Sequence, residues 1–138
     1  MGLLIHLIGQ VVHTCNQVLC LALNVYFEAR SEDTRGQLAV AEVTLNRVKS
    51  EKYPDNICDV VWQRKQFSWT HDGKSDKPKH AKAWEKAQRI ALFAITTGNK
   101  IVGDDVTHYH ASYTQPYWTT SYERVAKVGT HIFYKRKG

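Results

Sequence analysis

The chain has 138 residues, enough for one compact domain that folds without a metal or disulfide to hold it together. Its hydrophobic fraction of 43% and aromatic fraction of 11% exclude a disordered chain. A formal charge of +6 favours anionic partners, such as nucleic acid, anionic lipid or acidic envelope polymers, without choosing among them.

Residues 1–13 form an apolar N-terminal segment of helical character. Its apolar stretch, Leu3 to Val12, is interrupted by His6, Gly9 and Gln10 and is short of the roughly 20 residues of a membrane span. It also lacks a basic start and a small-x-small cleavage site. The expectation is no stable membrane insertion, so that action outside the cytoplasm would need another route of delivery. A helix follows from about Asn16 to Ala29, apolar nearly all round and therefore central. Ser31-Glu32-Asp33 makes a turn. Thr34, with Gln37 three residues on, then predicts a capped helix striped by Leu38, Ala41, Leu45 and Val48. A short helix is expected over Asn56–Gln63, a long loop over 64–78, and a third long helix from Lys79 to Thr97 stopped by Gly98.

Beyond Gly98 the period changes. Val106–His110 and Thr130–Tyr134 alternate as strands, with Ala111–Gly129 as a large loop between them. The predicted class is α+β, mostly helical, with a small antiparallel β-hairpin in a single domain. Three cysteines leave at least one thiol free in a monomer. Cys20 and Cys58 either pair or stand as isolated thiols, and no Cys-x-x-Cys suggests a metal knuckle.

Glu28 is the first candidate for chemistry. It ends the most apolar helix, near the negative pole of the helix dipole, and both features disfavour its charged form. A carboxyl held protonated near neutral pH can act as a general acid. Arg30 could offset the effect if it points the same way. Glu32, four residues on, could be a second catalytic carboxylate, or simply an exposed turn acid. Glu42 could reach the same site, though a structural ion pair suits it better. Aromatic and polar residues alternate in two later segments: Gln66, Phe67, Ser68 and Trp69, then Tyr109, His110, Tyr113, Tyr117 and Trp118. Flat aromatic faces edged with amides and hydroxyls suit sugar rings, so these are the candidate substrate contacts. His108, His110 and His131 lie on strands, but no ligand spacing accompanies them, so neither metal nor cofactor is expected.

Several blocks taken together carry a resemblance. Asn24–Glu32, Gly36–Ala41, Leu45-Asn46-Arg47-Val48, Gln66–Trp69, Thr107–Ala111 and Gly129–Tyr134 resemble, in order, the cell-wall hydrolase family of the spore-cortex-lytic enzymes. The resemblance spans about 20–134 and leaves 1–15 unmatched. It departs from the common family form at Phe27 and Ser31. It implies a lysozyme-like or lytic-transglycosylase-like domain, in a compact form like that of phage endolysins. The implied substrate is the N-acetylmuramic acid–N-acetylglucosamine strand of peptidoglycan, acted on in the periplasm or outside the cell, with Glu28 as the catalytic acid. Asn46 and Arg47 would brace the Glu28 loop. Four readings stay open: a lytic transglycosylase working with one carboxylate, a hydrolytic muramidase needing a second, a metal amidase using the histidines, and a non-catalytic module binding glycan or nucleic acid. The first is favoured, acting as a monomer on peptidoglycan and not on nucleic acid.

Overall fold

A computed structural model describes residues 2–63 and 68–138, with backbone alone at Ser68 and His71. Helix α1 runs unbroken over Gly2–Ala29, where two separate segments were expected. The polar stretch His13-Thr14-Cys15-Asn16 contains no proline, so nothing in it denies the helix a backbone donor. By length and composition α1 meets the criterion for a membrane span, which the ten-residue apolar stretch alone did not; a signal sequence meets the same criterion. Its first sixteen described positions carry no buried residue, and Leu3, Leu4, Ile5, Leu7, Ile8, Val11 and Val12 are exposed.

From Leu21 onward α1 enters the core. Helix α2 (Thr34–Lys49) packs against it, and its N-cap is Asp33 rather than Thr34. The Asp33 carboxylate accepts from the Gly36 amide at 2.9 Å, while Gln37 turns its amide to the Glu32 carbonyl. Helix α3 (Ile57–Trp62) is capped by Asn56 and tied twice to α1. Gln17 accepts from the Ile57 and Cys58 amides, and Cys20 is disulfide-bonded to Cys58. Cys15 is the free, exposed thiol. A 3-10 turn at Ser68–His71 leads on to helix α4 (Ala81–Thr97). The Tyr26 hydroxyl accepts from the Lys79 and His80 amides, supplying the cap that His80's own side chain does not give. Gly98 ends α4 at φ +60°, a conformation glycine adopts without strain.

Three strands follow, not two: β1 (Val106–Ala111), β2 (Tyr122–Val128) and β3 (His131–Arg136), antiparallel in the order β1-β3-β2. The expected loop therefore holds a strand. Most of β2 faces solvent, and only Val128 is fully buried, so its apolar pattern is faint.

The core has two parts. One joins the helices through Leu21, Val25, Tyr26, Val61 and the small residues Ala87, Ala91 and Ala94, which let the helices approach closely. The other packs Val40 and Val43 of α2 against Val106, Val128 and Phe133 of the sheet. Tyr109 touches both parts. It stands at the seam between the helical and sheet lobes, where α1 delivers its last turn.

Candidate active site

Glu28 occupies that last turn. Its carboxyl pKa is raised to about 7, and burial is the principal cause. Two groups act in the opposite direction, the Tyr109 hydroxyl by a hydrogen bond and the Arg47 guanidinium by its charge. Each comes from a different element, so the site exists only when α1, α2 and β1 are assembled.

Tyr109 stays protonated. Burial, with the Glu28 charge adding to it, drives its pKa well above the ordinary phenol value. Its hydroxyl is thus a standing donor toward Glu28. Asn24, one turn earlier on α1, reaches the same hydroxyl and is itself fixed at both ends. Its amide donates to Thr44 Oγ1 at 3.3 Å, and its carbonyl accepts from Trp69 Nε1 at 2.9 Å. Asn24 was not singled out as a site residue, because its partners lie 20 and 45 positions away and leave no local pattern.

Arg47 is buried, with its Nε donating to the Thr107 carbonyl at 2.8 Å. Its guanidinium also lies over the Tyr53 ring, 5.2 Å from the centroid. Neighbouring Asn46 donates to the carbonyls of Gly103 and Val106, both at 2.8 Å, pinning the entry to β1. Among the described residues Glu42 forms no ion pair and is not among the groups that act on Glu28. Its carboxylate accepts from the backbone amides of Ile101, Val102 and Gly103 at 2.6–2.9 Å and so shapes the loop before β1. Arg30 is exposed and stacks over Tyr26.

Glu32 is turned to another task. Its Oε1 accepts from the Thr130 amide at 2.8 Å, the Thr130 hydroxyl at 2.7 Å and His131 Nδ1 at 3.0 Å. Only 7% of its side chain is exposed. Burial works to raise its pKa, but these bonds and the neighbouring imidazole outweigh it and hold the carboxyl below its ordinary value. The structure thus brings Glu32 to the turn between β2 and β3, not to Glu28's carboxyl.

The expected sugar-contacting residues separate into distinct environments. Tyr113 and Tyr117 are exposed by 86% and 92%, on the segment that leaves β1. Trp118 is half-buried, edge-on to His108, His110, Tyr122 and Tyr134. His110 is buried and bridges the Ala111 carbonyl and the Tyr134 hydroxyl, so it braces the sheet instead of facing solvent. Trp69 is 5% exposed, stacked on Phe27 at 4.9 Å and bonded to Asn24. A core partner of the acid's own helix takes the place of the expected sugar platform. Gln66 and Phe67 lie outside the described residues, as does the side chain of Ser68. His108 and His110 share a sheet face, while His131 faces the other, toward Tyr109. Burial, helped by Arg47 and Arg136, lowers the His108 pKa to about 4, so it is neutral at physiological pH. Among the described residues no cluster of three metal-ligating side chains occurs.

Residues 31–134 match the family model for cell wall hydrolases. The chain belongs to that family. Family relatives include the spore cortex-lytic enzymes of Halalkalibacterium halodurans, 32% identical over 118 residues, and of Bacillus subtilis, 30% identical over 120. Each match covers 86% of this chain, which spans 34% and 37% of those two proteins' lengths. A match of that extent within 138 residues cannot leave out Glu28, although the family model begins three residues beyond it.

Solved structures agree with the family assignment. The catalytic domain of the germination-specific lytic transglycosylase SleB from Bacillus anthracis is similar with a TM-score of 0.74 and 31% identity. That match covers 87% of this chain and 94% of that one. The SleB catalytic domain of Bacillus cereus matches with a TM-score of 0.74 and 32% identity, over 87% and 90%. The α+β, mostly helical architecture is thus that of a lytic-transglycosylase domain.

Proposed function

We propose that this chain cleaves the N-acetylmuramic acid–N-acetylglucosamine linkage of peptidoglycan as a lytic transglycosylase, with Glu28 as acid and then as base. The observation that carries the reading is the environment of Glu28. A carboxyl with a pKa of about 7 is substantially protonated at neutral pH and can also exist there as a carboxylate. In the first half-reaction Glu28 gives its proton to the glycosidic oxygen as the bond to C1 breaks. Positive charge develops at C1 and the ring oxygen. In the second, the sugar's own 6-hydroxyl attacks C1 and the Glu28 carboxylate takes its proton. The products are a 1,6-anhydro end and a free hydroxyl on the departing sugar, with no water consumed.

Tyr109 and Arg47 serve both halves. Each stabilises the carboxylate that remains after proton donation, and neither is strong enough to hold Glu28 ionised beforehand. Among the described residues no carboxylate acts on Glu28, and Glu32 is committed to Thr130 and His131. A one-carboxylate route suits this arrangement better than a muramidase mechanism with a second acid. Exposed Tyr113 and Tyr117 are the candidate platforms for sugar rings. The chain would act outside the cytoplasm on the wall, needing neither metal nor other cofactor.

Mass spectrometry of digested sacculi tests this. Anhydro-muramyl ends, one water lighter than reducing ends, are expected. Reducing N-acetylmuramic acid ends alone would replace the transglycosylase reading with the muramidase one. Strongly salt-dependent DNA binding without lysis would instead support a nucleic-acid module.

A further inference from the structure

We infer that Glu32 is a positioning residue for Glu28: through His131 it fixes the Tyr109 ring, and so the hydroxyl that hydrogen-bonds to the acid. This rests on Glu28 being the acid, and it gives Glu32 a role other than a second catalytic carboxylate.

The chain of contacts is continuous. Glu32 is anchored at its backbone, with its amide donating to the Ala29 carbonyl at 2.9 Å and its carbonyl accepting from Gln37 at 3.2 Å. Its carboxylate grips the β2–β3 turn through the three bonds to Thr130 and His131. The turn is shaped to admit it. Gly129 sits at φ +58°, and a Cβ there would lie 2.9 Å from Glu32 Oε1, so a side chain would be both strained and obstructive. Because a carboxylate only accepts, His131 carries its proton on Nδ1. Desolvation lowers the His131 pKa, which leaves the ring neutral.

The His131 ring meets Tyr109 edge-on, at 5.2 Å and 90°. Phe133, two residues along β3, lies 5.5 Å from Tyr109. The ring whose hydroxyl reaches Glu28 is thus held by two β3 side chains, and one of them is fixed by Glu32. Acid and brace are four residues apart in sequence, and the connection between them runs through the sheet lobe.

Among the described residues the charged and titratable groups involved are few. Arg47 from α2 and Tyr109 from β1 act on Glu28. Glu32, from the turn after α1, and His110, from β1, act on His131.

The test compares Glu32→Gln with Glu32→Ala in the full chain on purified sacculi. Rates are normalised to the folded fraction and followed across pH. A positioning role needs an acceptor, not a charge. E32Q should stay within about threefold of wild type, while E32A loses about tenfold. E32A should also move the alkaline limb of the rate profile upward by about half a pH unit, as Glu28 loses the hydrogen bond that lowers its pKa. If E32Q falls as far as E32A, Glu32 acts as a carboxylate in the chemistry and the proposal fails. An unmoved limb in E32A leaves only a structural role and also overturns it.

Should E32A not fold, His131→Gln substitutes for it. That variant can still donate to Glu32 but lacks the ring against Tyr109. It should shift the limb in the same way, and no shift would refute the proposal. Glu28→Gln separates the two readings: if it stays active, the acid is misassigned whatever Glu32 does.

Discussion

Glu28 and Glu32 sit one helical turn apart in sequence, and the fold treats them in opposite ways. Glu28 is drawn into the seam between the lobes, where burial raises its pKa and, among the described residues, two groups soften the effect. Glu32 is drawn to the β2–β3 turn, where three donors outweigh burial and keep it ionised. Burial alone therefore does not tell a reactive carboxyl from a structural one. What separates them is the number of donors supplied with the burial. A carboxylate held ionised by three donors keeps no proton to give a substrate. A partly satisfied one can hold a proton or release it.

The largest effect that could break this contrast is on activity. Glu28→Gln should lower the lytic rate by at least about 10³-fold, since general acid and base action are lost together. Release of anhydro-muramyl fragments measures it. An E28Q enzyme within tenfold of wild type would place the chemistry elsewhere.

Stability should respond with opposite signs at the two positions. Glu28 has a folded-state pKa of about 7 against an ordinary value of 4.5, so the folded protein takes up a proton between those pH values. Its contribution is fully present below pH 4.5 and is lost as pH rises through 7. E28Q should therefore match wild type near pH 4 and exceed it at pH 8, by on the order of 3 kcal/mol. Glu32 has a lowered pKa, so its contribution is present above the unfolded value and disappears on acidification. E32A should cost about 2 kcal/mol at pH 7, and less as pH falls below 4. Urea melts at three pH values read both effects. Two variants moving in the same direction would remove the distinction.

A finer effect isolates the softening groups. Tyr109→Phe keeps the ring between His131 and Phe133 and removes the hydroxyl that donates toward Glu28 and meets Asn24. The Glu28 pKa should rise, and the alkaline limb of activity should move up by less than about one pH unit. A limb that stays in place would mean that the hydroxyl does not set the acid's strength.

How much of this contrast could be read beforehand depends on where its causes lie. Glu28's place at the end of an apolar helix is local and was visible, as were the stripes of α2 and α4 and the Gly98 stop. Its partners were half visible: Arg47 was expected to brace the Glu28 loop, whereas Tyr109 read as a substrate contact, and their convergence on Glu28 is a product of lobe packing. Trp69 read as a sugar platform because aromatic composition does not reveal depth. Its indole N–H is taken by Asn24, 45 positions away. Strand β2 escaped notice because a mostly exposed strand needs little apolar alternation. Glu32 was ambiguous for a related reason: the turn that claims it is 98 residues downstream.

The smallest prediction tests how evenly the Glu32 strap is shared. Thr130→Val removes the hydroxyl bond at 2.7 Å and keeps both the backbone amide bond and the His131 bond. A single hydrogen bond to a charged acceptor contributes about 1.5 kcal/mol, and the exposed turn at Thr130 lets water replace part of that. The expected loss is about 1 kcal/mol in a urea melt, with the pH limb of activity unmoved because His131 still holds Tyr109. If T130V shifted the limb as E32A does, the hydroxyl rather than the imidazole would be the link to the acid. The contrast between the two glutamates would then rest on the turn as a whole rather than on the His131 ring.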